Sequence, residues 1–248
     1  MPATAPKQTK CQLCPLKKKE VFRAVSPQEL EFIEHFKAGE FVTDVGATIL
    51  AEGTSGPHLF TVLSGWGFRY KMLADGRRQI LNFVLPGDFI GLQSSMLNEM
   101  QHSVESLTQM VLCVFPRDRL WDLYSKHPSL AFDLTWLAAR SERLLDENLL
   151  SIGRRSAAER VAHVLLDMFR KCRHLELTQG PKVTFPFTQQ HLADALGLSL
   201  VHTNKTLQSL IARKLFRWKA GVFELLDEDR LAEAARMEAS GPQLRPLI

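Results

Sequence analysis

Two sets of residues in this chain are spaced for chemistry. The first are thiols. Cys11 and Cys14 stand as Cys-Gln-Leu-Cys, followed by Pro15 and the basic run Lys17-Lys18-Lys19, while Cys113 and Cys172 lie far along the chain. No apolar stretch precedes Cys11, so no export signal is expected, and four cysteines then read as free thiols or metal ligands rather than structural disulfides. Structural zinc would need a second ligand pair, which is missing. Thioredoxin-type exchange needs its Cys-x-x-Cys after a strand of a βαβ unit, and no strand pattern leads into Cys11. Cys172 with His174 falls at a helix end and reads as incidental. The sequence has no Gly-rich phosphate loop, nucleophile elbow or paired-His zinc motif, which speaks against an enzyme.

The second set is a polar helix face. Thr188 to Leu210 reads as helix, tight turn, helix. Thr188 is a good N-cap, because its hydroxyl can accept from an orphan amide of the first turn. Leu192, Ala195 and Leu196 recur at helical spacing, and Gly197 ends the helix by taking left-handed geometry without a Cβ penalty. Ser199 caps the second helix. Its Thr203, Leu207 and Leu210 share one face, and Val201, Asn204, Lys205 and Gln208 share the opposite one. Such a face can read base edges in a major groove: Asn and Gln pair with adenine, Lys reaches guanine, and Val touches a thymine methyl. An ordinary helical hairpin in a core has the same spacing. Lys214 to Leu226, with its turn at Ala220-Gly221, reads as two short strands, the wing of a winged helix.

These residues need elements to hold them. The chain has 248 residues, 45% of them hydrophobic, so it is globular and divides into two domains. No long apolar run suggests a membrane span, and the expected location is cytoplasmic. Residues 154–236 carry 14 Lys and Arg against 9 Asp and Glu, whereas the residues before them carry 16 against 17. The positive excess thus lies with the helix pair, as phosphate contacts require. Residues 1–10 are polar and read as disordered. Ser26-Pro27-Gln28-Glu29 is a capping box that opens a helix to about Phe36, with Leu30, Ile33 and Phe36 inward. From Gly39 to Pro116 glycines punctuate short β-rich segments at 59–63, 68–73, 79–85, 104–107 and 110–115, a closed or sandwiched β-structure with room for a small effector. Pro128 to Ile152 reads as one long helix. Leu130, Leu134, Leu137, Ser141, Leu144 and Asn148 form a stripe in steps of four and three, with Leu145, Leu149 and Ile152 beside it. A parallel dimer seam is the expectation there, against a core helix of a single chain. Gly153 is the expected break and hinge. An amphipathic helix then runs from Ala157 to Cys172, a terminal helix covers Asp227–Met237, and residues 240–248 read as a loose tail.

Helix, β-roll, long helix, hinge and winged helix-turn-helix, in that order, together resemble the Crp/Fnr family of bacterial transcription regulators over nearly the whole chain. The resemblance is carried by Pro86-Gly-Asp-Phe-Ile-Gly91, Arg160-Val-Ala-His-Val-Leu-Leu166 and Leu196-Gly-Leu-Ser199. It implies an α+β fold: a cyclic-nucleotide-binding-like β-roll (a double-stranded jelly roll), a long dimerisation helix and a C-terminal winged helix-turn-helix. The corresponding boundaries are a tail at 1–20, the sensor roll at 21–127, the dimerisation helix and hinge at 128–153, the DNA reader at 154–237 and a tail at 238–248. The resemblance further implies a homodimer on a palindromic operator in double-stranded DNA, in contact with RNA polymerase. Candidate DNA contacts are Thr188 and Gln189 on the first helix and Ser199, Leu200, Val201, His202, Asn204, Lys205 and Gln208 on the second. The family usually carries Glu and Arg where Val201 and Lys205 stand, so a standard operator is not expected.

For the effector, cyclic AMP binders of the family place Glu after the Gly-Asp-Phe-Ile-Gly run and an Arg-Ser pair later. Leu92 and His102-Ser103 stand there instead, so the phosphate would lack its guanidinium and no cyclic AMP response is expected. Fnr proteins hold a [4Fe–4S] cluster on an N-terminal Cys-x-x-Cys, a third cysteine soon after and one from the roll. Cys11, Cys14 and Cys113 match three of these, with Glu20 as the candidate fourth ligand. Two other functions remain open at this level: a ligand-binding regulatory module acting through protein partners, and a redox or metal protein using Cys11 and Cys14.

Overall fold

The computed structural model describes residues 8–237, 241 and 243–248; the disorder expected for residues 1–7 lies outside them. The chain begins with two 3-10 turns, Cys11–Leu13 and Pro15–Lys18, and continues through α1 (Pro27–Phe36), β1 (Gly39–Thr43), β2 (Thr48–Leu50), β3 (His58–Ser64), β4 (Gly67–Met72), β5 (Arg78–Val84) and β6 (Phe89–Ile90). Next come α2 (Leu92–Leu97), β7 (Ser103–Ser106), β8 (Met110–Pro116), α3 (Leu120–Lys126), the long α4 (Pro128–Arg154) and α5 (Ala157–His174). The last part is β9 (Lys182–Thr184), α6 (Gln189–Leu196), α7 (Leu200–Ala212), β10 (Phe216–Lys219), β11 (Val222–Leu225) and α8 (Glu228–Ala234).

The roll is two four-stranded sheets, β1-β8-β3-β6 and β2-β7-β4-β5, so the expected closed or sandwiched β-structure is present as two sheets. Its interior is filled by apolar side chains, among them Leu50, Phe60, Val62, Met100, Val104 and Leu112. The turn at Pro86–Asp88 is held by Asp88, whose carboxylate accepts from the Leu85 amide at 2.9 Å. Gly91 then takes φ +98° to start α2, and Ser94 donates back to its carbonyl. The family-like run therefore shapes the turn from within.

Two compact units divide the chain. One contains the residues up to Gly67, Val84–Ala139 and Leu244–Ile248; the other contains Phe68–Phe83 and Arg140–Gln243. These units depart from the expected boundaries in two ways. Phe68–Phe83, which supply the β4–β5 hairpin of the roll's second sheet, are grouped in the second unit, and residues 244–248 are not a loose tail. Within the first unit Leu247 and Ile248 are buried, and Arg245 makes a parallel bridge with Phe22.

Helix α4 also departs from expectation. Leu130, Leu134 and Leu137 pack with Ile33, Phe36 and Phe115 in the first unit's own core. The front half of the proposed seam is thus spent inside one chain. The large apolar side chains left exposed on α4 are Phe132, Leu145, Leu149 and Leu150. Gly153 does not break the helix. The Arg155 amide still donates to Ser151 O at 3.1 Å, and the break comes at Ser156, extended at ψ 164°, whose capping box with Glu159 starts α5. A capping side chain sets this boundary; the flexible glycine before it does not.

Candidate nucleic-acid interface and thiol pocket

The reader is built around α5. Val161, Leu165, Met168, Phe169 and Cys172 are buried, and Val164 is half-buried. The thiol of Cys172 is a core group whose burial pushes its pKa up to about 12. The Thr188 hydroxyl accepts from the His191 amide at 3.3 Å, Gly197 sits at φ +64°, and the Ser199 hydroxyl accepts from the His202 amide at 3.2 Å. Helix, turn and second helix follow the caps read in the sequence. Thr203, Leu207 and Leu210 are buried, which fixes the rotation of α7.

That rotation leaves Leu200, Val201, His202, Asn204, Lys205 and Gln208 exposed along one side, with Ser199 and Thr188 exposed at the helix starts and Gln189 half-buried. Val201 is 66% exposed, far more than a β-branched residue in a core hairpin would be. The second helix therefore has a bare polar face, and the core-hairpin alternative does not describe it. Beyond it Lys205, Arg213, Lys214 and Lys219 have no carboxylate partner among the described residues. The last three were not singled out in the sequence; their signal was proximity to the turn and wing. On α6, the Asp194 carboxylate is bound by Gln190 at 2.7 Å and by Arg78 at 2.9 Å, so the acidic group on this helix is neutralised. Arg78 lies over the Phe68 ring, 4.9 Å from its centroid. The wing, β10 and β11, turns at Ala220-Gly221, both at positive φ, and β9 adds a third strand to β11. The Arg217 guanidinium and Glu224 carboxylate pair across it at 3.3 Å.

The thiols gather elsewhere, in the first unit. Cys113 is on β8, opposite Glu40 of β1 and Thr61 of β3. With Cys11 and Cys14 it lines a cavity of about 40 Å³ whose other walls include Ile33, Phe115, Leu247 and Ile248. All three are free thiols. Burial pushes Cys113 up to about 12 and raises Cys11 as well. Glu20 is exposed and does not line this cavity. Among the described residues no three His, Cys, Asp or Glu side chains stand at metal-holding separations. The donors are chemically soft, but they are three, the cavity is apolar and small, and a cubane needs four ligands. As they stand these residues do not fit a [4Fe–4S] cluster. At the nucleotide-binding positions, His102 is buried and Ser103 accepts from the Glu52 amide at 3.0 Å.

A winged helix-turn-helix with an exposed polar second helix, following a β-roll domain, defines a DNA-binding regulator. The cyclic nucleotide-binding domain family matches residues 33–127, and the Crp-like helix-turn-helix domain family matches residues 159–234. The nitrogen fixation regulation protein FixK of Bradyrhizobium diazoefficiens is 29% identical over 91% of this chain and 93% of its own. The transcriptional activatory protein AadR of Rhodopseudomonas palustris is 31% identical over 67% of this chain and 69% of its own. The structure of FixK2 from Bradyrhizobium japonicum superposes with a TM-score of 0.72 and 27% identity, covering 82% of this chain and 98% of that one. The chain belongs to the Crp/Fnr family of transcription regulators, which are not enzymes.

Proposed function

We propose that this regulator binds a palindromic operator as a homodimer, in the cytoplasm, and acts on transcription through contact with RNA polymerase, without responding to cyclic AMP. The observation that carries the reading is the bare face of α7, where Val201, Asn204, Lys205 and Gln208 are presented together. A two-fold operator requires a two-fold protein. The seam lies on the side of α4 that its own core does not use: Thr135, Ala138, Glu142, Leu145 and Leu149 are exposed at steps of three and four. No helix among the described residues is long and apolar enough to cross a membrane. The lack of a cyclic AMP response is supported by His102 in place of a guanidinium and by the apolar filling of the roll.

Selection of bound sequences from a random duplex pool tests the reading directly. An inverted repeat with half-sites one helical turn apart is expected. Recovery of no sequence preference at all would overturn it. Calorimetry with cyclic AMP should show no micromolar binding.

A further inference from the structure

Residues Leu244–Ile248 belong to the first compact unit, although α8, which precedes them, belongs to the second. The Arg245 amide donates to Val21 O and the Arg23 amide donates to Arg245 O, both at 2.9 Å. The Arg245 side chain is buried, and burying a guanidinium is costly unless its charge is paired. Nη1 donates to Asp88 Oδ1 and Nη2 to Pro86 O, each at 2.7 Å, and the group lies 4.6 Å from the centroid of the Phe22 ring. The slot is closely shaped. A Cβ on Gly87 would stand 2.2 Å from Phe22 Cζ and 3.1 Å from Arg245 Nη2. Past Pro246, Leu247 and Ile248 turn inward, and the Ile248 carbonyl accepts from the Thr61 hydroxyl. Both side chains form walls of the cavity shared by Cys11, Cys14 and Cys113.

We propose that the groove between the Val21–Arg23 backbone and the Pro86–Asp88 turn is a binding site for an extended Arg-Pro-aliphatic-aliphatic segment, filled in this chain by its own Leu244–Ile248, and that its filling closes the thiol pocket. The guanidinium supplies recognition, the backbone bridge supplies register, and the two aliphatic side chains seal the thiols. Any adduct or ligand that enlarges the cavity competes with Leu247 and Ile248. The inference goes beyond the DNA-binding reading and does not depend on it.

The test is the rate at which N-ethylmaleimide labels each cysteine of the full chain, read by peptide mass spectrometry. In Arg245→Ala, Cys11 and Cys113 are expected to label at least about tenfold faster than in the unaltered protein, with Cys172 slow in both. A synthetic peptide of residues 243–248, in excess, should return the rates toward those of the unaltered protein, and the same peptide carrying Arg245→Ala should not. Unchanged rates at Cys11 and Cys113, or accelerated rates that the peptide fails to slow, overturn the proposal. If Cys172 also labels fast, the variant has unfolded. Asp88→Asn, which weakens the slot from the other side, then decides by the same rate criterion.

Discussion

In the proposed reading, Lys205 and Val201 face the base edges and decide what the second helix recognises. Lys205 is exposed, unpaired among the described residues, and one turn from Val201 on the same side of α7. A lysine bonded to guanine contributes discrimination at one base pair, whereas a lysine on phosphate contributes equally everywhere. Lys205→Ala is expected to weaken operator binding by ~1–3 kcal/mol, roughly 5- to 150-fold, with loss of preference at one position of each half-site. A gel shift against single-base operator variants checks this, and equal weakening on all of them would place Lys205 on the backbone instead. Val201→Glu replaces an apolar contact with an acceptor suited to the cytosine amino group. The selected operator should then change at one base pair and keep its spacing. Residue-scale features of this kind were legible because they are local. Thr188, Ser199 and Ser26 cap the amides expected of them, each bond spanning three residues. Glu20 was not legible, because whether a side chain reaches a pocket depends on packing that no local spacing encodes.

At the scale of elements, long amphipathic helices, glycine-bounded strands and the short strands of the wing could be read, whereas β1, β2 and β6 could not. β1 and β2 were missed, since each is defined by pairing with a strand more than fifty residues away, β8 and β7. Helix α4 was found but its faces were assigned wrongly in part. A stripe of leucines reads the same whether it meets a partner or its own core. α8 illustrates how an element is held in place. Its Glu228 carboxylate accepts from Arg170 at 2.9 Å and from Arg173 at 2.7 Å, both on α5. The bonds from Arg173 and then Arg170 hold Glu228 below the usual carboxylate value. A depressed carboxylate stabilises the fold above its unfolded pKa, and the contribution is lost as pH falls through the folded value. Glu228→Gln should therefore cost about 1 kcal/mol at neutral pH, modest because the pair is partly solvated. The difference between the two proteins should begin to shrink as pH falls past the ordinary glutamate value, and should vanish only once pH has passed through the depressed folded value. A gap that persists in acid would mean the side chain acts by packing rather than charge.

For the molecule as a whole, chain order is not unit order. Phe68–Phe83 are grouped in the second unit, and the last residues return to the first. Neither was legible, because both depend on which surfaces meet after the elements form. The last signal available was weak: Leu247 and Ile248 are adjacent apolar residues in a stretch otherwise read as polar. The proposed dimer belongs to this scale too, and it would constrain DNA binding quantitatively. Leu149 is 72% exposed on α4, an apolar area that water would disfavour unless a second chain covers it. Two readers joined through such a seam bind a palindrome with both half-sites engaged, and the second contact is intramolecular. In the proposed dimer Leu149→Glu would bring like charges together at the seam and should shift the protein to monomer in sedimentation at micromolar concentration. The face of α7 is untouched by that change. Affinity for a single half-site should therefore stay within about twofold, while affinity for the full palindrome falls by roughly 10²-fold or more toward the half-site value. Equal losses on half-site and palindrome would show that the substitution had damaged the reader, and an unchanged dimer would place the seam on another face of the helix.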